Sequence, residues 1–182
     1  MRADARRNRE HLVATARAVF AESGPDASLN EVARRAGVGP GTLYRHFPTR
    51  QALLQAVFRD RVERLCDQAV DLAAHPCPGR ALVRWLQAVL VHAQTDGGLS
   101  AAMVSEPELG IDCHAMMRSA AADLLARAQR AGQAAAGVEV DDLFQLVTGI
   151  STAAPAGRAA RLLGLALGGL IPSAAAYSES DG

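Results

Sequence analysis

Apolar side chains recur at helical spacing along most of the chain. Leu12, Ala16 and Phe20 are four residues apart, so they share one face of a helix that we predict from Ala5 to Glu22. A second stripe at the same kind of spacing marks a long fourth helix; it consists of Leu54, Phe58, Val62, Leu65, Ala69 and Leu72. The pattern predicts an all-α protein of about nine helices.

Breaking and capping residues indicate where the first two helices end and begin. Gly24 and Pro25 end the first helix. The stretch from Ser28 to Glu31 has the sequence of a capping box, in which the serine hydroxyl accepts the Glu31 N–H and the Glu31 side chain reaches back. A second helix is therefore expected to start at Ser28 and to end at Gly37.

Prolines separate the following elements. Pro40 is suited to the first turn of a third helix, which continues to His46 or Phe47, and Thr49 can cap the fourth helix. The stretch from His75 to Gly79 has the composition of a linker. Later helices are predicted at about 80–95, 99–105, 111–132, 140–152 and 157–170.

These elements suggest four parts of the chain. Residues 1–48 form a head with a helix-turn-helix, and residues 49–74 form a connecting helix. Residues 75–177 form a larger helical body, and the polar residues 178–182 form a disordered tail.

Charge is distributed unevenly although the formal net charge is zero. Residues 1–64 contain 12 arginines and 7 acidic residues, whereas residues 65–182 contain 7 arginines and 12 acidic residues. A basic head on an acidic body suits a polyanionic partner at one end only. The charge pattern therefore favours a nucleic acid as the partner of the head.

Composition argues against several other classes of protein. The arginines near the N-terminus are not followed by an apolar core, so we expect no signal peptide. The apolar run from Leu162 to Ile171 is too short to span a bilayer, which takes roughly 20 residues. Three cysteines without a CxxC pair make a disulfide framework or a structural zinc site improbable. We expect a cytoplasmic protein without cofactor or membrane contact.

The most informative segment runs from Leu29 to Leu54. Two short helices meet at Ala36 to Gly39, where Gly37 can adopt the positive φ that a sharp reversal requires. Leu43 and Phe47 are four residues apart and should face back into the head. The rest of the third helix points outward, as in a recognition helix that enters the major groove.

The same segment resembles the helix-turn-helix signature of the TetR family of transcriptional regulators. The resemblance covers about residues 8–60 and rests on Val32-Ala33, Ala36-Gly37-Val38, Gly41 to Pro48 and Leu53-Leu54. It implies a DNA-binding head of three helices, followed by a helical domain for ligand binding and dimerisation. The implied function is a dimeric regulator, most often a repressor, that leaves a palindromic operator when a small and largely apolar effector binds.

The resemblance also implies roles for individual residues. Thr42 and Tyr44 match positions that touch bases or phosphates, and His46 matches a phosphate contact. Arg50 stands where the family usually has a phosphate-binding lysine, and Gly39 departs from the more usual serine. The complete predicted DNA-binding set is Ser28, Asn30, Gly39, Pro40, Gly41, Thr42, Tyr44, Arg45, His46 and Arg50.

Arg45 is singled out by its chemistry. A guanidinium can donate two hydrogen bonds to O6 and N7 of guanine, which is the commonest specific contact in the major groove. A phosphate contact is the alternative for this side chain. Both alternatives remain open for Arg45 at this point.

Two strongly apolar helices near the C-terminus are candidates for a dimer interface. Two recognition helices about 34–36 Å apart are needed to read an operator, and a two-fold dimer supplies them. Gly164 and Gly168 could let two backbones approach closely. The alternative is that both helices belong to the core of a single chain. The predicted interface residues are Leu143, Leu146, Val147, Ile150, Leu163, Gly164, Leu167 and Gly168.

The middle helices are expected to enclose a ligand pocket. Apolar and aromatic side chains combine there with two imidazoles that could orient a polar atom of a ligand. The alternative for each residue is ordinary core packing. The candidates are Trp85, Val89, His92, Met103, Ile111, His114, Met117, Leu124 and Phe144.

Several rival interpretations have less support in the sequence. Cys113 and His114, with His75, Cys77 and His92, allow a metal site or a redox sensor, but their spacing matches no known site. A helical enzyme lacks support because we find no nucleophile–base pair, no GxGxxG or Walker loop and no HExxH. A non-specific DNA binder without ligand and a transcriptional activator are the remaining alternatives.

Overall fold

The computed structural model describes residues 2–24, 26–95 and 107–171, and this part of the chain is all-α. Helices account for most of it, joined by short turns, and no strand occurs within these ranges. The helices are α1 (Arg2–Ser23), α2 (Leu29–Arg35), α3 (Pro40–His46), α4 (Arg50–Ala73), α5 (Pro78–Thr95), α6 (Pro107–Arg130), α7 (Val140–Ala153) and α8 (Ala156–Leu170). The predicted fold class is confirmed, and the predicted helix at 99–105 lies outside the described residues.

Two prolines that were expected to separate helices instead begin them. α5 starts at Pro78, inside the predicted linker, and α6 starts at Pro107. Proline is tolerated in the first turn of a helix because the N–H that it lacks would have no partner there. The presence of a proline therefore does not by itself show whether one helix ends before the proline or the next helix begins at it.

The predicted capping box at the start of α2 is wrong in its hydrogen bonds. The Ser28 hydroxyl accepts from the backbone N–H of Asn30 at 3.2 Å, not from that of Glu31. The Glu31 carboxylate accepts from the guanidinium groups of Arg34 and Arg35 at 2.7–2.8 Å. Hydrogen bonds between charged groups are stronger than a bond to a neutral N–H, so the arginines take the carboxylate.

Contacts divide the chain into two compact units, with the boundary between Arg61 and Val62 inside α4. The first unit includes α1, α2, α3 and the first half of α4. Its core is apolar and includes the predicted stripe of α1 as well as Leu43 and Phe47, each 1% exposed. The prediction that these two side chains face into the head is confirmed.

The second unit is built around α5, which packs against both α7 and α8, while α7 and α8 also pack against each other. Trp85 is completely buried, and its indole N–H donates to the Leu65 carbonyl of α4 at 2.8 Å. The Gln133 side chain accepts from the backbone N–H of Gly79 at 2.7 Å, near the start of α5. These two hydrogen bonds join α5 to α4 and to the turn that follows α6.

No helix among the described residues has the length and apolar character that crossing a membrane requires.

Candidate nucleic-acid interface

The turn between α2 and α3 is fixed by backbone hydrogen bonds. Val38 N–H donates to the Ala33 carbonyl at 3.0 Å, and Gly37 N–H donates to the Arg34 carbonyl at 3.1 Å. This pair of bonds is the Schellman motif, which requires a left-handed residue after the helix. Gly37 supplies that residue with φ of 66°, as the sequence predicted. The reversal positions α3 directly after α2.

α3 presents one side to solvent and buries the other. Tyr44 is 47% exposed, and Pro40, Gly41 and Arg45 are also exposed. Thr42 and His46 are half-buried at the edges of this face. Because Leu43 and Phe47 anchor the opposite side in the core, the exposed side chains are held on a rigid element rather than on a loop.

The remaining predicted contact residues flank α3. Ser28, Asn30 and Gly39 are exposed at the starts of α2 and α3. Arg50 is half-buried, and both of its terminal nitrogens donate to the Ala27 carbonyl at 2.7 and 2.9 Å. Arg50 thus ties the start of α4 to the segment before α2. Its phosphate contact stays a prediction.

Both arginines of α2 are already paired with acidic residues. Arg34 and Arg35 bind Glu31, and Arg35 also binds Glu22 of α1 at 2.5 Å. Arg45 is different: none of the hydrogen bonds or ion pairs within the described part of the chain involves its side chain. An exposed guanidinium without an internal acidic partner is available to an external anion or base edge.

The arginine pair strongly favours the ionised form of Glu31. Hydrogen bonds from Arg34 and then Arg35 lower the pKa of its carboxyl from 4.5 to about 2. Because the folded-state pKa is depressed, the stabilisation is present above pH 4.5 and is lost as the pH falls towards 2. In a carbon-detected NMR titration we expect the Glu31 carboxyl to remain ionised at pH values where an ordinary glutamate is protonated. Titration at 4.5 would contradict the contact.

Two contacts that support this face had no clear signal in the sequence. The Arg9 guanidinium lies over the Phe47 ring at 5.2 Å from its centroid. Arg17 of α1 donates to Asp60 of α4 at 3.1 Å, in a partly buried pair. Both join residues far apart in sequence, so only the three-dimensional arrangement reveals them.

Comparison with known proteins agrees with this geometry. A family model described as bacterial regulatory proteins, tetR family, matches residues 12–57. A second one, described as transcriptional regulator SbtR-like, C-terminal domain, matches residues 77–172. The two matches cover the helix-turn-helix and more than half of the chain.

The chain belongs to the TetR family.

Solved structures of TetR-family proteins are similar over nearly the whole chain. The TetR transcriptional regulator SCO0520 from Streptomyces coelicolor is 37% identical with a TM-score of 0.77, over 90% of this chain and 98% of that one. A TetR transcription regulatory protein from Mycobacterium vanbaalenii is 38% identical with a TM-score of 0.75, over 93% and 98%. This protein is accordingly a transcriptional regulator with a DNA-binding helix-turn-helix, and not an enzyme.

Curated relatives match over a shorter length. The HTH-type transcriptional regulator TtgW from Pseudomonas putida is 37% identical over 89 residues, which is 48% of this chain and 66% of that protein. UidR from Escherichia coli is 35% identical over 65 residues, or 33% of its length. The chain thus matches two thirds of the first relative and one third of the second.

The predicted pocket residues of this TetR-family protein fall partly together. Phe144 of α7 lies 6.3 Å from the Trp85 ring, edge to face, and 5.7 Å from the His114 ring. Val89, Met117 and Leu124 are buried, and His92 is half-buried. Met103 and the side chain of Ile111 lie outside the described residues. The lining role of the whole set stays a prediction.

A cavity of about 420 Å³ lies elsewhere in the second unit, between α4 and α6. None of the predicted pocket residues lines it. α4 contributes Cys66, Ala69, Val70 and Ala73, and α6 contributes Met116, Ser119, Ala120 and Asp123. On each helix these residues recur at the spacing of a single face, which is the signal that the sequence offered for this site.

Cysteines and histidines are dispersed. Cys113 is buried whereas His114 is exposed, and the Cys77 thiol donates to the Gln133 side chain at 3.5 Å. Within the described ranges, no group of three or more His, Cys, Asp or Glu side chains is arranged to hold a metal ion.

The predicted interface residues divide into two groups. Leu143, Val147, Leu163 and Leu167 are at most 2% exposed in the single chain, so they belong to its core and cannot contact a partner directly. Leu146, Ile150 and Gly168 are half-buried, and Gly164 is exposed. A Cβ atom added at Gly164 or Gly168 would meet nothing within 4 Å, so neither glycine is used for close packing inside the chain.

Proposed function

We propose that this TetR-family regulator is a dimeric repressor that binds a palindromic operator through α3 and is released by a small-molecule effector. The observation that carries the DNA-binding part is the exposed face of α3, with Tyr44 and Arg45 outward and Leu43 and Phe47 anchored behind them. A rigid helix whose arginine has no acidic partner among the described residues meets the needs of base readout in the major groove.

Neighbouring residues would fix the helix on the DNA backbone. Phosphate contacts supply much of the affinity and set the register, whereas base contacts specify the sequence. Thr42 and His46 lie in α3 with Arg45, and the exposed starts of α2 and α3 precede them in the sequence. Arg50 contributes by holding the segment before α2 through the Ala27 carbonyl, and its positive charge at this position favours a phosphate.

Dimerisation is supported by apolar surface on α8. Leu165 is 64% exposed and Leu162 is 39% exposed, although both are large aliphatic residues. The open space at Gly164 lies between them along the helix. A second copy packed on this face would remove apolar surface from water, and it would supply the second recognition helix.

Effector response is supported by the second unit. It contains both the aromatic group around Phe144 and a cavity large enough for a small molecule. α4 belongs to both units, since the boundary falls between Arg61 and Val62. A ligand that favours one arrangement of α4 needs a coupling free energy of only about 1–3 kcal/mol to change operator affinity roughly 5- to 150-fold.

Fluorescence anisotropy of the purified protein on its own upstream intergenic DNA tests the proposal. We expect tight binding at physiological salt, preference over a scrambled duplex, and loss of that preference in a variant with Thr42→Ala and Tyr44→Ala. Sedimentation equilibrium on the same samples should give a dimer. When the gene of this regulator is deleted, transcript levels of the gene next to the tested intergenic DNA should rise. A fall in these levels would indicate an activator.

Equal and weak binding to both duplexes, unchanged in the double variant, would overturn the operator-reading function. A monomer that still prefers the native duplex would overturn the dimer alone. Asn30→Ala provides a matched control, because this exposed residue begins α2 outside the recognition helix. It should weaken binding to both duplexes alike and leave their ratio unchanged.

A further inference from the structure

The cavity between α4 and α6 exists because two helix faces carry small side chains. Ala69 and Ala73 on α4 lie opposite Ser119 and Ala120 on α6, so the gap between the helices is not filled. Its volume of about 420 Å³ falls in the range of small-molecule pockets, which is about 300–1,000 Å³. Val70 adds to the apolar wall and is 72% exposed, so the cavity is open to solvent.

One charged group lines this largely apolar cavity. Asp123 is exposed and supplies a carboxylate at the wall, and Ser119 supplies a hydroxyl. The third polar group is the Cys66 thiol, whose pKa is raised, first by burial and then by Asp67. A thiol with a raised pKa is uncharged near neutral pH, so it adds no cation and no second anion to the lining.

The surroundings strengthen the negative character of the cavity. Asp67 and Glu63 of α4 lie close enough to Cys66 to disfavour ionisation of its thiol, so two further carboxylates lie near this end of the cavity. Arg118 of α6, a nearby positive charge, is paired with Asp141. A focused negative potential attracts cations and repels anions.

We propose that the α4–α6 cavity binds a small organic cation with an apolar body, its positive end at Asp123 and its body against Ala69, Ala73 and Ala120. The assignment of this ligand as the effector rests on the proposed function, whereas binding itself does not. Since four wall residues belong to α4, occupancy acts directly on the helix shared by both units.

Benzyltrimethylammonium is a suitable probe because it combines an apolar ring with a fixed positive charge. Isothermal titration calorimetry of the full chain should detect this probe. It should give about two- to fivefold weaker binding of neutral neopentylbenzene and still weaker binding of phenylacetate. The probe should also slow alkylation of Cys66 by N-ethylmaleimide, followed by peptide mass spectrometry. Cys77, which is half-buried like Cys66 but does not line the cavity, provides an internal reference.

Two variants locate the site. Asp123→Asn should weaken probe binding about two- to fivefold, the effect of losing an exposed ion pair. Asp71→Asn removes the same charge from α4 without altering the wall, so it should change binding less. Ala120→Phe should abolish binding by filling the cavity, with circular dichroism as the check of folding. If that variant does not fold, the wild-type chain with Cys66 alkylated replaces it, because the added group occupies the same space and should also abolish binding.

Several outcomes would overturn the proposal. One is equal binding of all three probes, and another is unchanged binding of the cation in Asp123→Asn and Ala120→Phe. A third is that the cation does not bind and Cys66 cannot be alkylated, which would indicate that a second copy covers the cavity. Fluorescence anisotropy of operator DNA, measured on the same samples, distinguishes cation binding at the cavity from a role of the cation as effector. Probe binding without operator release would support the site and contradict only the effector part of the proposed function.

Discussion

Arg45→Ala is expected to lower the operator affinity of the proposed dimer by about 2–6 kcal/mol, roughly 30- to 20,000-fold. One bidentate base contact contributes about 1–3 kcal/mol, and each of the two subunits would supply one. Arg45 is the strongest candidate because its side chain is exposed and has no acidic partner among the described residues. Anisotropy titrations of wild type and variant over a range of salt concentrations measure the effect.

The same titrations separate the two roles left open for this residue. Loss of guanine readout relaxes the preference for one base pair in each half-site, whereas loss of a phosphate contact weakens binding to all sequences and lowers the salt slope by about one per contact. Arg34→Ala is the matched control, since Arg34 is exposed but bound to Glu31. It should change affinity far less. Equal effects of the two substitutions would contradict a special role of Arg45.

The helix-turn-helix was largely predictable because its signals are local. Gly37 between two short amphipathic segments indicated a left-handed turn, and the four-residue spacing of Leu43 and Phe47 indicated the buried side of α3. Each of these inferences needs only a few neighbouring residues. The structure confirms all of them.

Predictions that depended on the choice of partner for a polar side chain did less well. Glu31 was expected to cap α2, yet it binds two arginines one turn further on. For Arg50 the phosphate contact implied by the resemblance stays a prediction, but sequence spacing gave no sign that its guanidinium donates to the Ala27 carbonyl. Long side chains reach several possible partners, and sequence spacing does not rank those partners by energy.

The apolar helices α7 and α8 illustrate a second limit. Their composition indicated that their apolar faces are buried, but it did not indicate whether they are buried against the same chain or against a second one. Leu143 and Leu163 turn out to be covered by the chain itself, whereas Leu165 is largely exposed. An apolar composition indicates that a helix is buried somewhere, but only the fold shows which of its faces is buried within the chain.

The α4–α6 cavity was missed for a related reason. Alanine and serine at helical spacing are usually interpreted as positions of close helix packing. In this chain Ala69 and Ala120 line open space instead. Whether two small faces come together or leave a gap depends on the distance between the helices, which the spacing of residues along each helix does not give.

Phe47→Ala is expected to destabilise the first unit by about 3–5 kcal/mol, the usual effect of truncating a buried aromatic residue. Phe47 is 1% exposed at the end of α3, and it also carries the Arg9 guanidinium over its ring. The loss is a large fraction of the roughly 5–15 kcal/mol that stabilises a typical domain. DNA binding should therefore fail through loss of structure, although Phe47 itself faces the core.

Urea denaturation with two probes tests this expectation. Trp85 is the only tryptophan and lies in the second unit, so its fluorescence reports on that unit, whereas circular dichroism reports on all helices. In Phe47→Ala we expect part of the helical signal to disappear at lower urea than the fluorescence change. Phe58→Ala is the matched control, since Phe58 is only half-buried against the same core and should cost less. Coincident transitions at an unchanged midpoint would show that the Phe47 side chain does not hold α3 in place.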